Sequence, residues 1–234
     1  MNDNTGSAFT GRVEDIRFVS GHGQFTADIV PANALHAVFF RSPVAAGMIT
    51  SLDCNAAKAV TGVVTVLTAA DAAADGVANM IWTGGPVRED GGVTVNSPRP
   101  LLSGAEIRHL GEPVAMVIAT SRQAAADAAE LIDLQIEVAD DVALSVENML
   151  DGPLVWSGTN DNIASLHRQG DRDEVDTILT TSAHVSHFEF DISKITACTM
   201  EMRNSIGFID ENGKSCVTTS AQSPYQLHGE LAQL

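Results

Sequence analysis

Basic residues are scarce in this chain. Thirteen Lys and Arg stand against thirty Asp and Glu in 234 residues, a formal charge of −17 at neutral pH, and only Lys58, Lys194 and Lys214 are lysines. Nucleic-acid binding relies on basic patches that displace counterions from phosphates, so the charge balance argues against that class and against adsorption to anionic lipid. An acidic surface of this kind serves solubility first. Cysteine is equally sparse: Cys54, Cys198 and Cys216 are far apart, odd in number and without a C-x-x-C spacing. That usage suits a reducing, cytoplasmic setting, and it leaves no cysteine cluster from which this chain alone could ligate an iron–sulfur centre. No apolar run approaches the roughly 18 residues of a membrane-spanning helix. Residues Met1 to Arg17 carry Asp3, Glu14 and Asp15 where a signal peptide needs an apolar stretch, so neither a leader nor a membrane span is expected.

The familiar catalytic signatures are missing as well. Gly21-His-Gly23 and Gly91-Gly92 supply glycine, but no G-x-G-x-x-G joins a strand to a helix, and neither G-x-x-x-x-G-K-[ST] nor G-x-S-x-G occurs. His184, His187 and Asp191 could suggest a metal site, yet in a strand His184 faces one side while His187, Glu189 and Asp191 face the other. His22, His36, His109, His167 and His228 are scattered without metal-ligand spacing and read as structural or surface residues. No metal ligand and no catalytic residue is assigned on these grounds.

What is present is a mixed pattern of strands and helices. Ala37 to Arg41, Gly47 to Leu52 and the β-branched Gly62 to Thr68 predict three strands. Asp53 is placed to cap a short helix between the last two, with Ala56, Ala57 and Val60 on its buried face. Val114 to Ala119 is a continuous apolar run, as in a strand covered on both faces. Ser121 then caps a helix whose Ala125, Ala128, Ala129 and Ile132 recur at i, i+3, i+4 and i+7, and Leu134 to Val138 returns as a strand, a βαβ-like passage. From Ala139 to Thr181 the composition shifts to Asp, Asn, Gly and Ser, with Asp151-Gly152-Pro153 as a turn, and the domain boundary is placed there. Beyond it come predicted strands at Ala183 to Phe190, Ile195 to Met202 and Ser205 to Asp210, the last joined through Asn212-Gly213 to Cys216-Val217 as a hairpin.

A final helix is predicted from the Ser223 N-cap and Pro224, with Gln226 three residues after the cap and Leu227, Leu231 and Leu234 as an apolar stripe. No Gly, Asn or basic turn closes it, so the expectation is that the chain is the front portion of something larger. Gln222 stands where the preceding strand hands over to this helix, a position where free N–H groups and the helix dipole favour an anionic or oxo ligand. Its bland alternative is a locally hydrogen-bonded turn residue. Glu201 and Arg203, at i and i+2, read as a salt-bridged or hydrogen-bonded structural pair.

Several segments together resemble the start of the molybdopterin-binding large subunit of the xanthine dehydrogenase and carbon monoxide dehydrogenase family, the molybdenum hydroxylases. They are Gly11-Arg-Val-Glu-Asp-Ile-Arg-Phe-Val-Ser-Gly21 with Gly23-Gln-Phe-Thr-Ala-Asp28, Arg41-Ser-Pro43, and Gly62-Val-Val-Thr-Val-Leu-Thr-Ala-Ala-Asp71. Arg108-His-Leu-Gly-Glu-Pro-Val-Ala115, Gly170-Asp171, Ala183-His-Val185, Met200-Glu-Met-Arg203 and Thr219-Ser-Ala-Gln222 follow in the family's order. The resemblance implies an α+β chain: an α/β hammerhead domain over residues 1–150, with its core at about 11–145, then a linker and the first strands and a helix of the molybdopterin-binding domain over 151–234. It implies that Gln222 contacts the molybdenum cofactor, its neutral amide donating a hydrogen bond to an anionic group. It also implies molybdenum–molybdopterin in the complete subunit, iron–sulfur and FAD groups on partner subunits or domains, and a partner in the C-terminal molybdopterin-domain portion. The activity implied is oxidation of an aldehyde or N-heterocycle with oxygen derived from water, absent until that C-terminal portion is supplied. The alternative is a non-catalytic docking module or a truncated remnant. The sequence departs from the family where R-S-P-H-A-H-A is Arg41-Ser-Pro-Val-Ala-Ala-Gly47 and where the proline of M-E-P-R is Met202, which leaves the substrate open.

Overall fold

A computed structural model describes residues 11–80, 88–89, 99–142, 151–157, 159–193 and 195–234. They fall into two compact units, a larger one of residues 33–190 and 224–234 and a smaller one of residues 11–32 and 191–223, which holds the short helix α1 (Asp15–Val19). Gly91-Gly92 lies outside the described residues.

In the larger unit the predicted apolar runs become strands β1 (His36–Arg41), β2 (Gly47–Asp53), β3 (Val63–Thr68), β5 (Pro113–Ala119) and β6 (Asp133–Val138), and a short strand not expected from the sequence, β4 (Glu106–Ile107), joins them. They form two three-stranded antiparallel sheets, ordered β1-β5-β3 and β4-β2-β6. Central β5 places Ala115, Val117 and Ala119 on one face, fully buried, while Met116 and Ile118 on the other are half-buried. Helix α4 (Arg122–Ala129) covers the buried face with Ala125, Ala128 and Ala129. Ser121 Oγ accepts the Ala124 N–H at 3.1 Å, the expected N-cap. The core is therefore built largely from alanine and valine, which lets the helix lie close to the sheet.

Two expectations need correction here. The β5–α4–β6 passage is not a βαβ unit, because β5 and β6 belong to different sheets and β6 pairs antiparallel with β2. Local periodicity gives the strands and the helix but carries no information on which edge the returning strand joins. In the short helix α2 (Asn55–Lys58) the N-cap is Cys54, although Asp53 Oδ1 does accept the Asn55 N–H at 2.8 Å; Ala57 is buried and Ala56 faces out.

Helix α3 (Ala69–Ala74) opens on a capping box. The Asp71 carboxylate accepts from the Thr68 hydroxyl at 2.6 Å and from the Thr68 N–H at 2.7 Å. These two bonds, the hydroxyl first, hold the Asp71 carboxyl below its ordinary value of 3.8. A depressed folded value means that this stabilisation is present above the ordinary carboxylate range and is lost as pH falls through the folded value. Asp71→Asn is expected to cost about 1 kcal/mol at pH 7, and the wild-type advantage is expected to shrink steadily once the pH falls below the ordinary carboxylate value. Urea unfolding of both proteins across acid pH measures this, and a pH-independent difference would refute it.

The composition shift after Ala139 hides a helix, α5 (Arg172–Thr181), capped by Asp171 Oδ1 on the Glu174 N–H at 2.9 Å. Its Val175, Ile178 and Leu179 form a stripe at i, i+3 and i+4 that the polar flanks obscured. The predicted strands over 183–190 and 195–202 are not strands: their described residues join no β-ladder. Extended, alternating sequence makes a strand only when a partner edge is available. The hairpin is as expected, β7 (Ser205–Ile209) with β8 (Ser215–Thr219). Gly213 at φ +79° lets the turn close, the Gly213 N–H bonding the Asp210 carbonyl at 3.0 Å. Helix α6 (Pro224–Leu231) is present too, but Gln226 donates to Glu230 at 2.9 Å along its own helix. Among the described residues no helix is long and apolar enough to cross a membrane.

Candidate functional site

In the smaller unit β8 ends at Thr219, and Ser220 and Gln222 follow it. Ser220 Oγ donates to the Glu201 carboxylate, and Thr26 Oγ1 lies 3.5 Å from the same hydroxyl. Thr199 Oγ1 donates to the Glu201 carbonyl at 2.6 Å, and Thr219 Oγ1 to the Asn204 carbonyl at 2.9 Å. The chain on either side of Met202 is thus tied to the end of β8 by side-chain bonds rather than by a ladder. The expected Glu201–Arg203 pair does not form. Glu201 takes its hydrogen bond from Ser220, which reaches it across the fold, and no ion pair to Arg203 is made among the described residues.

Gln222 is exposed, and its amide makes no hydrogen bond among the described residues. Among the described residues, no local bond of the kind considered from the sequence is made. Its NH2 remains available as a neutral donor, the chemistry that an oxo or other anionic acceptor would require. Asn204 Oδ1 of this unit is buried and accepts no hydrogen bond among the described residues. Nothing in the sequence singled out Asn204, since an asparagine before a strand usually reads as a turn residue. Gln222 offers one exposed amide donor, which is compatible with a contact to a polar cofactor, whereas the buried Asn204 Oδ1 is not open to a ligand.

The other sequence motifs have structural duties in the larger unit. An Arg41 guanidinium N–H bonds the Gly111 carbonyl at 2.9 Å, the Gly111 N–H bonds the Ser42 carbonyl at 3.0 Å, and the Ser42 N–H bonds the Glu112 carbonyl at 2.8 Å. The buried Glu112 carboxylate accepts the Arg108 N–H at 2.6 Å and lies 3.6 Å from His109 Nδ1. The Arg41-Ser-Pro43 and Arg108 to Pro113 segments are in this way one interlocked loop pair at the end of β1 and β5. Arg108 also lies 4.1 Å over the Trp156 ring and pairs with Glu106 at 2.5 Å, flanking a cleft of about 330 Å³ beside α3. Among the described residues no group of three His, Cys, Asp or Glu is placed to hold a metal ion, and His184, His187 and Asp191 are exposed.

Comparison with known proteins gives this arrangement a context. The family described as aldehyde oxidase and xanthine dehydrogenase, a/b hammerhead domain, matches residues 20–140. The chain is 32% identical over 195 residues to the nicotine 6-hydroxylase large subunit of Paenarthrobacter nicotinovorans, covering 83% of this chain and 23% of that one. It is 28% identical over 232 residues to the carbon monoxide dehydrogenase large chain of Afipia carboxidovorans, covering 92% and 27%. Among solved structures, quinoline 2-oxidoreductase from Pseudomonas putida 86 superposes with a TM-score of 0.82 at 30% identity, over 94% of this chain and 27% of that one. The Cu,Mo-CO dehydrogenase superposes at 0.78 and 26% identity, over 95% and 28%. The chain spans about a quarter of the length of these relatives.

Proposed function

The chain belongs to the aldehyde oxidase and xanthine dehydrogenase family, and from that premise we propose that it forms the N-terminal scaffold of a molybdenum hydroxylase large subunit and supplies one contact to its molybdopterin cofactor. The observation that carries the reading is likeness over nearly the whole chain, 92% of it, to the large chain of a carbon monoxide dehydrogenase. The family match ends at residue 140, which supports a junction near residue 150 between the hammerhead domain and the start of the cofactor domain.

The two antiparallel sheets and α4 are the rigid part of the scaffold. Gln222 is the contact: its amide donates to the cofactor without adding charge, and the Ser220–Glu201 bond fixes the backbone two residues before it. When bound, the molybdenum cofactor supplies the two-electron chemistry of hydroxylation. The substrate class is an aldehyde or an N-heterocycle, and the names of the nicotine and quinoline relatives favour the heterocycle. The rest of the cofactor cradle comes from polypeptide equivalent to the remaining length of the relatives, with iron–sulfur and FAD groups on partner subunits or domains. Activity requires that remaining part. A cytoplasmic setting is supported by three cysteines that are all free thiols.

Gln222→Ala in the complete large subunit tests this. Loss of one hydrogen bond to a charged group is expected to lower cofactor retention and turnover about tenfold to 100-fold. Molybdenum per chain, measured with the melting temperature as a folding control, is the readout. Unchanged molybdenum content and unchanged turnover would refute the contact.

A further inference from the structure

Beyond its sheets, the larger unit holds a stretch fastened chiefly by polar contacts. Residues 153–157 and 159–168 form no helix, make one isolated bridge, Leu166 with Arg88, and none of them is buried. Asn162 ties the stretch to itself: its Oδ1 accepts the Val155 N–H at 2.8 Å, and its Nδ2 donates to the Pro153 carbonyl at 2.9 Å. Asp161 meets Arg88, whose Nη1 lies 2.8 and 3.0 Å from the two carboxylate oxygens and whose side chain is only 9% exposed. Glu89 takes the far end. Its N–H donates to the Leu166 carbonyl at 3.2 Å, and its carboxylate accepts the Arg168 N–H at 2.7 Å and lies 2.9 Å from His167 Nδ1.

These links are in series. Asn162 joins the Val155 end to its neighbour Asp161, Asp161 holds Arg88, and Arg88 is one peptide bond from Glu89, which holds residues 166–168, so releasing one link loosens the next. Burial of apolar surface is what couples a segment to global unfolding, and a segment without it opens at lower cost than the core. The same stretch also covers a charged group. The Trp156 ring lies 4.1 Å over the Arg108 guanidinium, and Arg108 Nε is buried with no acceptor among the described residues. The closed arrangement leaves this donor unspent, a cost that opening removes by admitting water.

We propose that Arg88-Glu89 with residues 153–157 and 159–168 are a flap, latched by Arg88 on Asp161, that opens as one piece while the sheets and α4 stay folded. Its opening lifts Trp156 and uncovers Arg108 at the edge of the cleft beside α3. The flap is independent of the cofactor contact at Gln222, which belongs to the other unit.

Hydrogen exchange on this chain tests the flap. The amides of Val155 and Arg168, whose acceptors are Asn162 and Glu89, are expected to exchange about 100-fold faster than those of central β5. Arg88→Met removes the latch and is expected to speed both flap amides together, about tenfold, with the β5 amides and the melting temperature unchanged. Asp161→Asn, at a partly exposed carboxylate, is a second variant expected to act in the same way. Phenylglyoxal, which modifies exposed guanidinium groups, is expected to label Arg108 faster in both variants by the same factor as the amides. Exchange of the flap amides at the β5 rate overturns the proposal, as does a response confined to amides beside the altered side chain. Unchanged Arg108 labelling with accelerated flap amides overturns the uncovering of Arg108.

Discussion

Replacing Ala128 with leucine is expected to destabilise the larger unit by about 3 kcal/mol, at the upper end of the usual cost of overpacking. Ala128 is completely buried on the face of α4 that lies against the sheet, and Ala57, Ala115, Ala119 and Ala125 around it are completely buried too. Helix and sheet approach closely because each side of the contact ends at a Cβ. A leucine at this position has no void to enter, so either α4 lifts off β5 or side chains leave their rotamers. For a domain of this size the change corresponds to a fall in melting temperature of roughly 6–12 °C, readable by circular dichroism. Ala126, on the same helix and not fully buried, is the control, and its leucine variant is expected to change stability by less than about 0.5 kcal/mol. A tolerated Ala128→Leu would show that the helix–sheet contact is looser than the burial states.

Removal of the Glu112 side chain is the other large effect, expected at about 2 kcal/mol for Glu112→Ala. The carboxylate is buried and accepts the Arg108 N–H at 2.6 Å, and this bond holds the loop whose Gly111 receives Arg41. Truncation leaves that N–H without its acceptor and releases the interlock between the two motif segments. Glu112→Gln keeps an oxygen acceptor in the same place, so it is expected to recover more than half of the loss. The comparison separates acceptance of the backbone bond from the carboxylate charge. Equal losses in the two variants would show that charge decides, and no loss in either would remove the structural role of this motif.

The motif segments illustrate how a sequence pattern can be sound while its purpose is hidden. Arg41-Ser-Pro43 and Arg108 to Pro113 are more than sixty positions apart, and no local rule joins them; only the paired ends of β1 and β5 bring Ser42 within hydrogen-bond reach of Glu112 and Gly111. Glu201 and Arg203 show the opposite case. Their i, i+2 spacing predicts a pair, yet Ser220 supplies a competing donor from the far end of the hairpin. Helix α5 is hidden in the sequence because Asp and Thr dominate its composition, although it carries both the Asp171 cap and the Val175, Ile178 and Leu179 stripe.

The sequence by itself determined the local elements: the Ser121 cap and alanine face of α4, the apolar run of β5, the Asn212-Gly213 hairpin and the co-linear motifs of the family. Each rests on interactions within a few residues, where hydrophobic period, caps and turn chemistry act before any distant contact is made. Only the tertiary structure decided that β5 and β6 lie in different sheets, that residues 183–190 join no ladder among the described residues, and that Glu201 turns to Ser220. Those outcomes are choices among partners, and a strand edge or a polar side chain takes the partner that the rest of the fold places within reach.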